Sequence, residues 1–192
     1  PLSDESFDFV YENIKSDLCL SSIAGGNDIV SCFTLGNPIL PVYKGEIQCL
    51  GLGMAVNVFD DSGKAIIANS GERGELVCEK PFPSMPIGFY NDPNNEKYIN
   101  SYFNRFENTW AHGDFAEKIE HTYDNNAYTS LIIHGRSDAI LNPGGVRIGT
   151  AEIYRQVEKI ESVIESIAVG QTLKDDPSDI RVVLFVILRD GQ

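Results

Sequence analysis

The sequence has little positive charge and no long apolar run. Its 15 lysine and arginine residues stand against 28 aspartate and glutamate residues, which gives a formal net charge of −13 at pH 7. A nucleic-acid-binding surface needs clustered basic side chains, so this imbalance argues against nucleic acid as a partner. The apolar run at residues 182–188 is far too short to span a bilayer, and no membrane partner is expected.

Cysteine and histidine are also scarce, and neither shows metal-ligand spacing. The cysteines lie among apolar residues and form no CxxC pair; they are Cys19, Cys32, Cys49 and Cys78. For them we expect buried, reduced thiols in a cytoplasmic protein, with a metal site or a disulfide framework as the alternative. The histidines are His112, His121 and His134, and we expect a structural or surface role for each.

Length and patterning predict an α+β chain in two parts. A chain of 192 residues makes one large domain or two small ones. Short β segments separated by turns extend over residues 29–78, which is typical of a small antiparallel sheet or barrel. We expect a small antiparallel β-barrel-like unit at residues 1–137, followed by the start of a small α+β domain at residues 138–192.

Helices are predicted at three places. Apolar residues recur at helical spacing in residues 4–14. Asp92 as N-cap, with a proline directly after it, favours a second helix that continues to Phe103. Thr150 is the N-cap expected for a third helix, which extends to about Ile160.

The remaining segments are predicted as strands and turns. Residues 110–119 and 131–134 are expected to be strands on either side of a turn. Residues 140–148 are expected to form a hairpin, and residues 181–188 a strongly β-branched strand. Between these two lies a polar turn at residues 174–179.

One segment near the start favours a ligand site. Residues 18–20 are predicted to form a short buried strand, and a loop of small residues follows at 21–28. Loops after strands often line ligand sites. A plain turn explains the same composition equally well.

The most informative stretch is residues 110–154. Asp114 and Arg136 each directly follow a glycine, which allows a sharp turn or a close approach to a ligand. An acid and an arginine placed beside such turns can hold a ribose and a phosphate. A glycine-rich turn at residues 143–145 and a second arginine, Arg147, come next.

Several motifs in this stretch resemble, in order and spacing, those of the adenylate-forming superfamily of acyl-CoA synthetases, peptide-synthetase adenylation domains and luciferases. These motifs are Gly113-Asp114, Gly135-Arg136-Ser137-Asp138, the run from Gly144 to Gly149, and Glu152-Ile153. Within the superfamily, the acetoacetyl-CoA synthetase family is the most similar. That similarity lies in residues 25–33, 41–47, 80–86, 112–117 and 137–147, so the resemblance covers nearly the whole chain.

The resemblance implies an ATP-dependent acid–thiol ligase. In this family a carboxylate, here acetoacetate, attacks the α-phosphate of ATP and gives an acyl-adenylate and pyrophosphate. The thiol of coenzyme A then displaces AMP. The implied substrates are acetoacetate, ATP with Mg²⁺, and coenzyme A. The alternatives are a synthetase for acetate, propionate or a hydroxybutyrate, and a non-catalytic module that binds a nucleotide or coenzyme A.

The resemblance also implies roles for single residues of the first part. Asn27 and Asp28 match a pair that is usually Thr-Glu, in which the first residue contacts the α-phosphate and the acid assists Mg²⁺. Gly26 precedes them on the nucleotide side, and an Asx turn is the alternative for this segment. Ala24 and Gly25 match positions that carry bulky aromatic residues in acetyl-CoA synthetases. Small residues in the acyl pocket would leave room for a four-carbon oxo acid.

The other implied roles lie on the nucleotide and at a hinge. Asp114 matches the carboxylate on the ribose hydroxyls, and Arg136 and Arg147 match arginines that face the nucleotide. Asp138 matches the residue about which the family's C-terminal domain rotates. The turn that approaches the pantetheine of coenzyme A corresponds to residues 144–145, Gly144 and Gly145, for which an ordinary hairpin turn is the alternative.

Two parts of the family's machinery are missing from the sequence. It contains neither the glycine-rich phosphate loop with its lysine nor the catalytic lysine of the adenylation step, and it begins with Pro1. We therefore expect a fragment of a larger enzyme, without a catalytic residue of its own. Its partner would be the missing N-terminal domain of the same chain, and alone it is expected to be inactive.

Overall fold

The fold is mixed α+β, as predicted, in a computed structural model that describes residues 2–175 and 179–189. The chain divides into two compact units between Ile133 and His134. The boundary predicted between residues 137 and 138 concerns a functional hinge and stays a prediction. Residue 1, residues 190–192 and part of the polar turn predicted at 174–179 lie outside the described residues.

The first unit begins with helix α1 (Asp4–Asn13), and helix α2 (Glu96–Tyr102) lies between its later strands. Its strands are β1 (Ala24–Gly26), β2 (Ser31–Leu35), β3 (Cys49–Leu50), β4 (Val56–Phe59), β5 (Arg73–Cys78) and β6 (Trp110–Tyr123), and β7 (Asn126–Arg136) continues into the second unit. One sheet has the order β1-β2-β3 and another the order β4-β5-β6-β7. Over the described residues these sheets are open, so the predicted antiparallel β unit is present without a closed barrel.

Aromatic side chains fill the core of the first unit around Trp110. The rings of Phe33 and Phe82 meet its indole edge-on, with centroids 6.3 and 5.5 Å away, and Tyr102 stacks on it at 3.6 Å. Edge-to-face and offset-stacked rings stabilise such a core beyond the area that they bury. The start of β6 is therefore anchored in the core, directly before the Gly113-Asp114 motif.

The second unit is built from two hairpins and one helix. Its elements are β8 (Ile140–Leu141), a 3₁₀ turn (Pro143–Gly145), β9 (Ile148–Gly149), α3 (Thr150–Val157), β10 (Val163–Thr172) and β11 (Ile180–Leu188). Strands β8 and β9 pair antiparallel, as do β10 and β11. The hairpin, the helix and the β-branched strand predicted for this part are all present.

Helices α2 and α3 begin and end at other residues than predicted. Helix α2 begins at Glu96, since Asn95 is left-handed with φ 55°. Asp92 instead accepts the Tyr98 amide at 3.0 Å from outside the helix. Helix α3 begins one residue early, at Thr150, and ends at Val157, so Ile160 lies beyond it and is exposed.

The short buried strand predicted at residues 18–20 is absent from the structure. Those residues follow α1 without strand pairing. The Tyr11 hydroxyl donates to the Leu18 carbonyl at 3.2 Å and lies 3.4 Å from the Leu20 amide. A side chain of α1 thus supplies the hydrogen bonds that a neighbouring strand would otherwise make.

The cysteines are free thiols, but only one of them is buried. Cys78 is buried, Cys32 and Cys49 are half-buried and Cys19 is exposed, so the prediction of a buried thiol is right for Cys78 and wrong for Cys19. Burial raises the pKa of the Cys78 and Cys49 thiols. Both therefore stay protonated near neutral pH. Among the described residues, no helix is long and apolar enough to cross a membrane.

Burial predicts that alanine substitution at two leucines of the first unit changes the free energy of unfolding by very different amounts. Leu76 in β5 is 0% exposed and Leu52 is 98% exposed. Leu76→Ala is expected to lower the free energy of unfolding by about 2–5 kcal/mol, because it leaves a cavity in the core. Leu52→Ala is the matched control and should change it by less than about 0.5 kcal/mol. Urea denaturation of both variants tests this, and equal losses would contradict the assigned core.

Candidate functional site

The small-residue segment near the start is a hairpin strand and a turn, instead of the loop that was predicted. Strand β1 pairs antiparallel with β2, with Gly25 opposite Cys32 and a register shift between Ala24 and Gly25. A Cβ added at Gly25 would lie 2.2 Å from the Ser31 carbonyl oxygen. Glycine is therefore required here by the close approach of the β2 backbone.

The turn after β1 presents Asn27 and Asp28 at the surface, where both are exposed. The Val30 amide donates to the Asn27 carbonyl at 3.2 Å, and Val30 is left-handed with φ 46°. A β-branched residue adopts this conformation only under strain. The Tyr102 hydroxyl donates to Asp28 Oδ2, so the carboxylate that was predicted to assist Mg²⁺ is held in one orientation.

Asp114 lies at a bulge in β6. Glu75 of β5 pairs with Phe115, and Val77 pairs with Ala111, so three residues of β6 lie opposite Leu76 alone. The middle one, Gly113, has φ +82°, a conformation that glycine adopts without strain. The bulge redirects the strand, and the Asp114 side chain lies there 14% exposed.

His112 connects Asp114 to strand β1. Its Nε2 atom lies 3.1 Å from the Gly25 carbonyl oxygen and 3.7 Å from Asp114 Oδ2. Trp110 Nε1 donates to His112 Nδ1 at 3.4 Å, so Nδ1 accepts and the imidazole proton is on Nε2, facing Gly25 and Asp114. The His112 side chain thus lies between the Gly25 carbonyl of β1 and the Asp114 carboxylate.

Sequence reasoning missed the part that His112 plays at this site. Its lack of metal-ligand spacing indicated only a structural or surface role, and the residue is in fact buried. The signal that was available is its position directly before Gly113 and Asp114. Within the described residues, no group of three or more metal-binding side chains is present.

The predicted charged residues of the second unit lie at the end of β7 and on the turns that follow it. Arg136 Nε is 3.6 Å from Asp138 Oδ1, and both side chains are exposed. Asp138 belongs to a 3₁₀ turn, Ser137–Ala139. Arg147 is also exposed. The guanidinium groups of Arg136 and Arg147 are therefore accessible to a negatively charged ligand.

The glycine turn of the second unit is held by an acidic side chain. Gly144 has φ 57° and donates its amide to Asp179 Oδ1 at 2.7 Å. Gly145 closes the same 3₁₀ turn. A Cβ at Gly144 would meet no atom within 4 Å. The positive φ, and not a close packing contact, therefore accounts for glycine at residue 144.

Comparison with curated proteins gives relatives that match the whole chain. It is 58% identical over 191 residues to an acetoacetyl-coenzyme A synthetase of Rhizobium meliloti (strain 1021), which covers 100% of the chain and 27% of that protein. It is 48% identical over 186 residues to an acetoacetyl-CoA synthetase of Gallus gallus, covering 97% of the chain and 26% of that protein. The chain spans about a quarter of the curated relatives it matches. No protein-family model matches the chain.

Solved structures agree with these relatives. An acetoacetyl-CoA synthetase from Streptomyces lividans superposes with a TM-score of 0.82 at 37% identity, over 100% of the chain and 27% of that structure. An anthranilate CoA ligase superposes with a TM-score of 0.68 at 19% identity, over 96% of the chain and 32% of that structure, which supports the fold alone. The resemblance to acetoacetyl-CoA synthetases indicated by the motifs is thereby confirmed over the whole chain.

The neighbouring glycines of β1 are expected to respond differently to the same substitution. Gly25→Ala should lower the free energy of unfolding by about 1–3 kcal/mol, because its Cβ would clash with the Ser31 carbonyl oxygen of β2. Gly26→Ala is the matched control: its Cβ would lie 3.2 Å from His112 Cε1, on a side chain that can shift. Thermal and urea denaturation measure both losses. A loss at Gly26 as large as at Gly25 would contradict the hairpin register.

Proposed function

We propose that this chain, homologous over its whole length to part of the acetoacetyl-CoA synthetases, belongs to an acid–thiol ligase that activates acetoacetate. The full-length protein would convert acetoacetate, ATP and coenzyme A into acetoacetyl-CoA, AMP and pyrophosphate in the cytoplasm. The 58% identity over 191 residues carries this proposal. Because the chain spans about a quarter of that relative, the activity is assigned to the full-length protein, and the chain alone is expected to be inactive.

In the proposed reaction, Asp114 binds the ribose of ATP. A carboxylate accepts hydrogen bonds from both ribose hydroxyls at once. The low exposure of Asp114 and the neighbouring His112 Nε2–H restrict its rotation. Binding the ribose orients the α-phosphate for attack by the acid, and such positioning is a major part of phosphoryl and nucleotidyl transfer.

Asn27 and Asp28 are assigned to the phosphate end of the nucleotide. Mg²⁺ that enters with ATP is held mainly by phosphate oxygens and water, so one or two protein carboxylates suffice. Asp28 fits this requirement, because Tyr102 fixes Oδ2 and Oδ1 is assigned to the ion. Asn27, with Gly26 before it, is assigned to the α-phosphate through its amide N–H.

Arg136 is assigned to the ribose and phosphate of the nucleotide, and Arg147 to the nucleotide in one orientation of the mobile C-terminal domain. Residues 138–192 are assigned to the thioester step. Asp138, in its exposed turn, is assigned to the hinge, where only a few residues need to absorb a backbone rotation. Gly144 and Gly145 are assigned to the pantetheine of coenzyme A, since a turn without side chains allows close approach.

Acyl selectivity is assigned to the small residues of β1. Ala24 is buried, and Gly25 faces the β2 backbone. Of the three β1 residues, Gly26 is the one whose added Cβ would meet a flexible side chain, that of His112. Gly26 stands in the sequence between Ala24-Gly25 and Asn27 of the nucleotide side. It is therefore the position at which added bulk can change the volume available to a four-carbon oxo acid without rebuilding the hairpin.

Removing the charge of Asp114 should weaken nucleotide use specifically. Asp114→Asn in the full-length protein is expected to lower kcat/KM for ATP by about 10–100-fold, because a hydrogen bond to a charged acceptor is lost. Asp124→Asn is the matched control. Asp124 is exposed in the left-handed turn between β6 and β7, where asparagine is tolerated. Steady-state kinetics measure both variants, and similar losses in the two would argue against a ribose-binding Asp114.

The identity of the acid is tested by pyrophosphate exchange with a panel of short carboxylates. The full-length protein should exchange fastest with acetoacetate, ahead of acetate, propionate and 3-hydroxybutyrate. Gly26→Val should lower the acetoacetate-to-acetate ratio of kcat/KM by about tenfold, the range for one or two methyl groups in an apolar pocket. Faster exchange with another acid would reassign the substrate. No exchange with any acid would favour a non-catalytic binding module.

A further inference from the structure

The first unit buries a charged side chain directly behind the Gly113-Asp114 bulge. Glu75 of β5 is 1% exposed. A buried carboxylate is costly unless its oxygens are hydrogen-bonded and its charge is paired. Oε2 of Glu75 accepts from Arg105 Nη1, and Oε1 accepts from the backbone amide of Gly113. The buried carboxylate thus pairs with the Arg105 cation through one oxygen and accepts a strand amide through the other.

Gly113 is where β6 departs from regular pairing with β5. Its φ of +82° lies inside the stretch in which three residues of β6 face Leu76 alone. An amide that a bulge displaces from regular strand pairing, here a part-buried one, needs another acceptor. Glu75 Oε1 supplies that acceptor, and it therefore holds the backbone directly before Asp114.

Arg105 holds Glu75 in place from the other side. Its Nη2 atom lies 2.9 Å from Asp61 Oδ1, in the turn after β4. Its guanidinium carbon lies 5.3 Å from the ring centroid of Phe106. Because the guanidinium is planar and its donors have fixed directions, these contacts restrict the orientation of the Glu75 carboxylate.

We propose that Glu75, oriented by Arg105, is a positioning residue for the nucleotide. It fixes the Gly113 amide and thereby directs the Asp114 carboxylate at the ribose hydroxyls of ATP. Glu75 acts through the backbone of β6 and not by touching the substrate. This inference rests on the proposed function, since it takes Asp114 as the ribose-binding residue.

The test compares ATP with 2′,3′-dideoxy-ATP, which lacks both ribose hydroxyls, in the full-length protein. The readout is the ratio of kcat/KM for the two nucleotides in acetoacetate-dependent pyrophosphate exchange. A substitution that only destabilises the fold lowers both values together and leaves the ratio unchanged. A substitution that misplaces Asp114 lowers the value for ATP alone, because the analogue has no hydroxyl for Asp114 to bind.

Glu75→Leu removes both acceptor oxygens and is expected to reduce the preference for ATP by about 10–100-fold, since misplacing a binding group by about 1 Å has effects of up to about 100-fold. Glu75→Gln keeps one acceptor for the Gly113 amide and should reduce the preference for ATP less. The glutamine variant also tests the proposal if the leucine variant does not fold. Glu46→Leu is the matched control. Glu46 is a largely buried carboxylate of the same unit, 2.7 Å from His121 Nε2, and its loss should leave the ratio unchanged.

Asp114→Asn in the same assay distinguishes the ribose-binding role of Asp114 from the positioning role of Glu75. It should reduce the preference for ATP, and adding Glu75→Leu to it should reduce the preference no further, because both act on one contact. If Asp114→Asn leaves the preference unchanged, the ribose role of Asp114 fails. If Asp114→Asn reduces it while both Glu75 variants leave it unchanged, Asp114 keeps its role and the positioning role of Glu75 is overturned.

Discussion

The contacts of the Trp110 indole hold the candidate site of the first unit together. One face stacks on Tyr102, whose hydroxyl donates to Asp28. The indole N–H donates to His112, which in turn faces the Gly25 carbonyl and Asp114. Because a tryptophan in a packed core has little freedom, both carboxylates are oriented from one rigid point. The chain contains a single tryptophan, and it lies where three segments distant in sequence meet.

Features of the fold that depend on neighbouring residues were predictable from the sequence. The turn after β4 is closed by Asp60, whose Oδ1 accepts the Ser62 and Lys64 amides at 2.8 and 2.9 Å. Asp124 and Asn125 both adopt positive φ, as aspartate and asparagine tolerate better than other side chains, and they link β6 to β7 in two residues. In each case every interacting residue lies within a few positions in the sequence, so the local pattern is enough to predict the turn.

Features that depend on distant partners were not predictable in this way. The strand expected at residues 18–20 failed because a tyrosine of α1 supplies the hydrogen bonds instead. The contact between Glu75 and the Gly113 amide joins residues 38 positions apart. Nothing in the sequence near Glu75 distinguishes it from an ordinary exposed strand residue. The motifs identified Asp114 through a family resemblance, whereas the residues that orient it required the structure.

The two neighbouring glycines of β1 show the same difference between what the sequence predicts and what only the structure explains. The family resemblance treats Gly25 as a small residue of the acyl pocket and Gly26 as its neighbour on the nucleotide side. In the structure the reasons separate: a Cβ at Gly25 would strike the β2 backbone, whereas a Cβ at Gly26 would meet only the edge of His112. The β2 backbone cannot move away without breaking the strand pairing between β1 and β2, whereas the His112 side chain can shift. Gly25 is thus required by the backbone of the fold itself, whereas no backbone contact among the described residues requires glycine at residue 26.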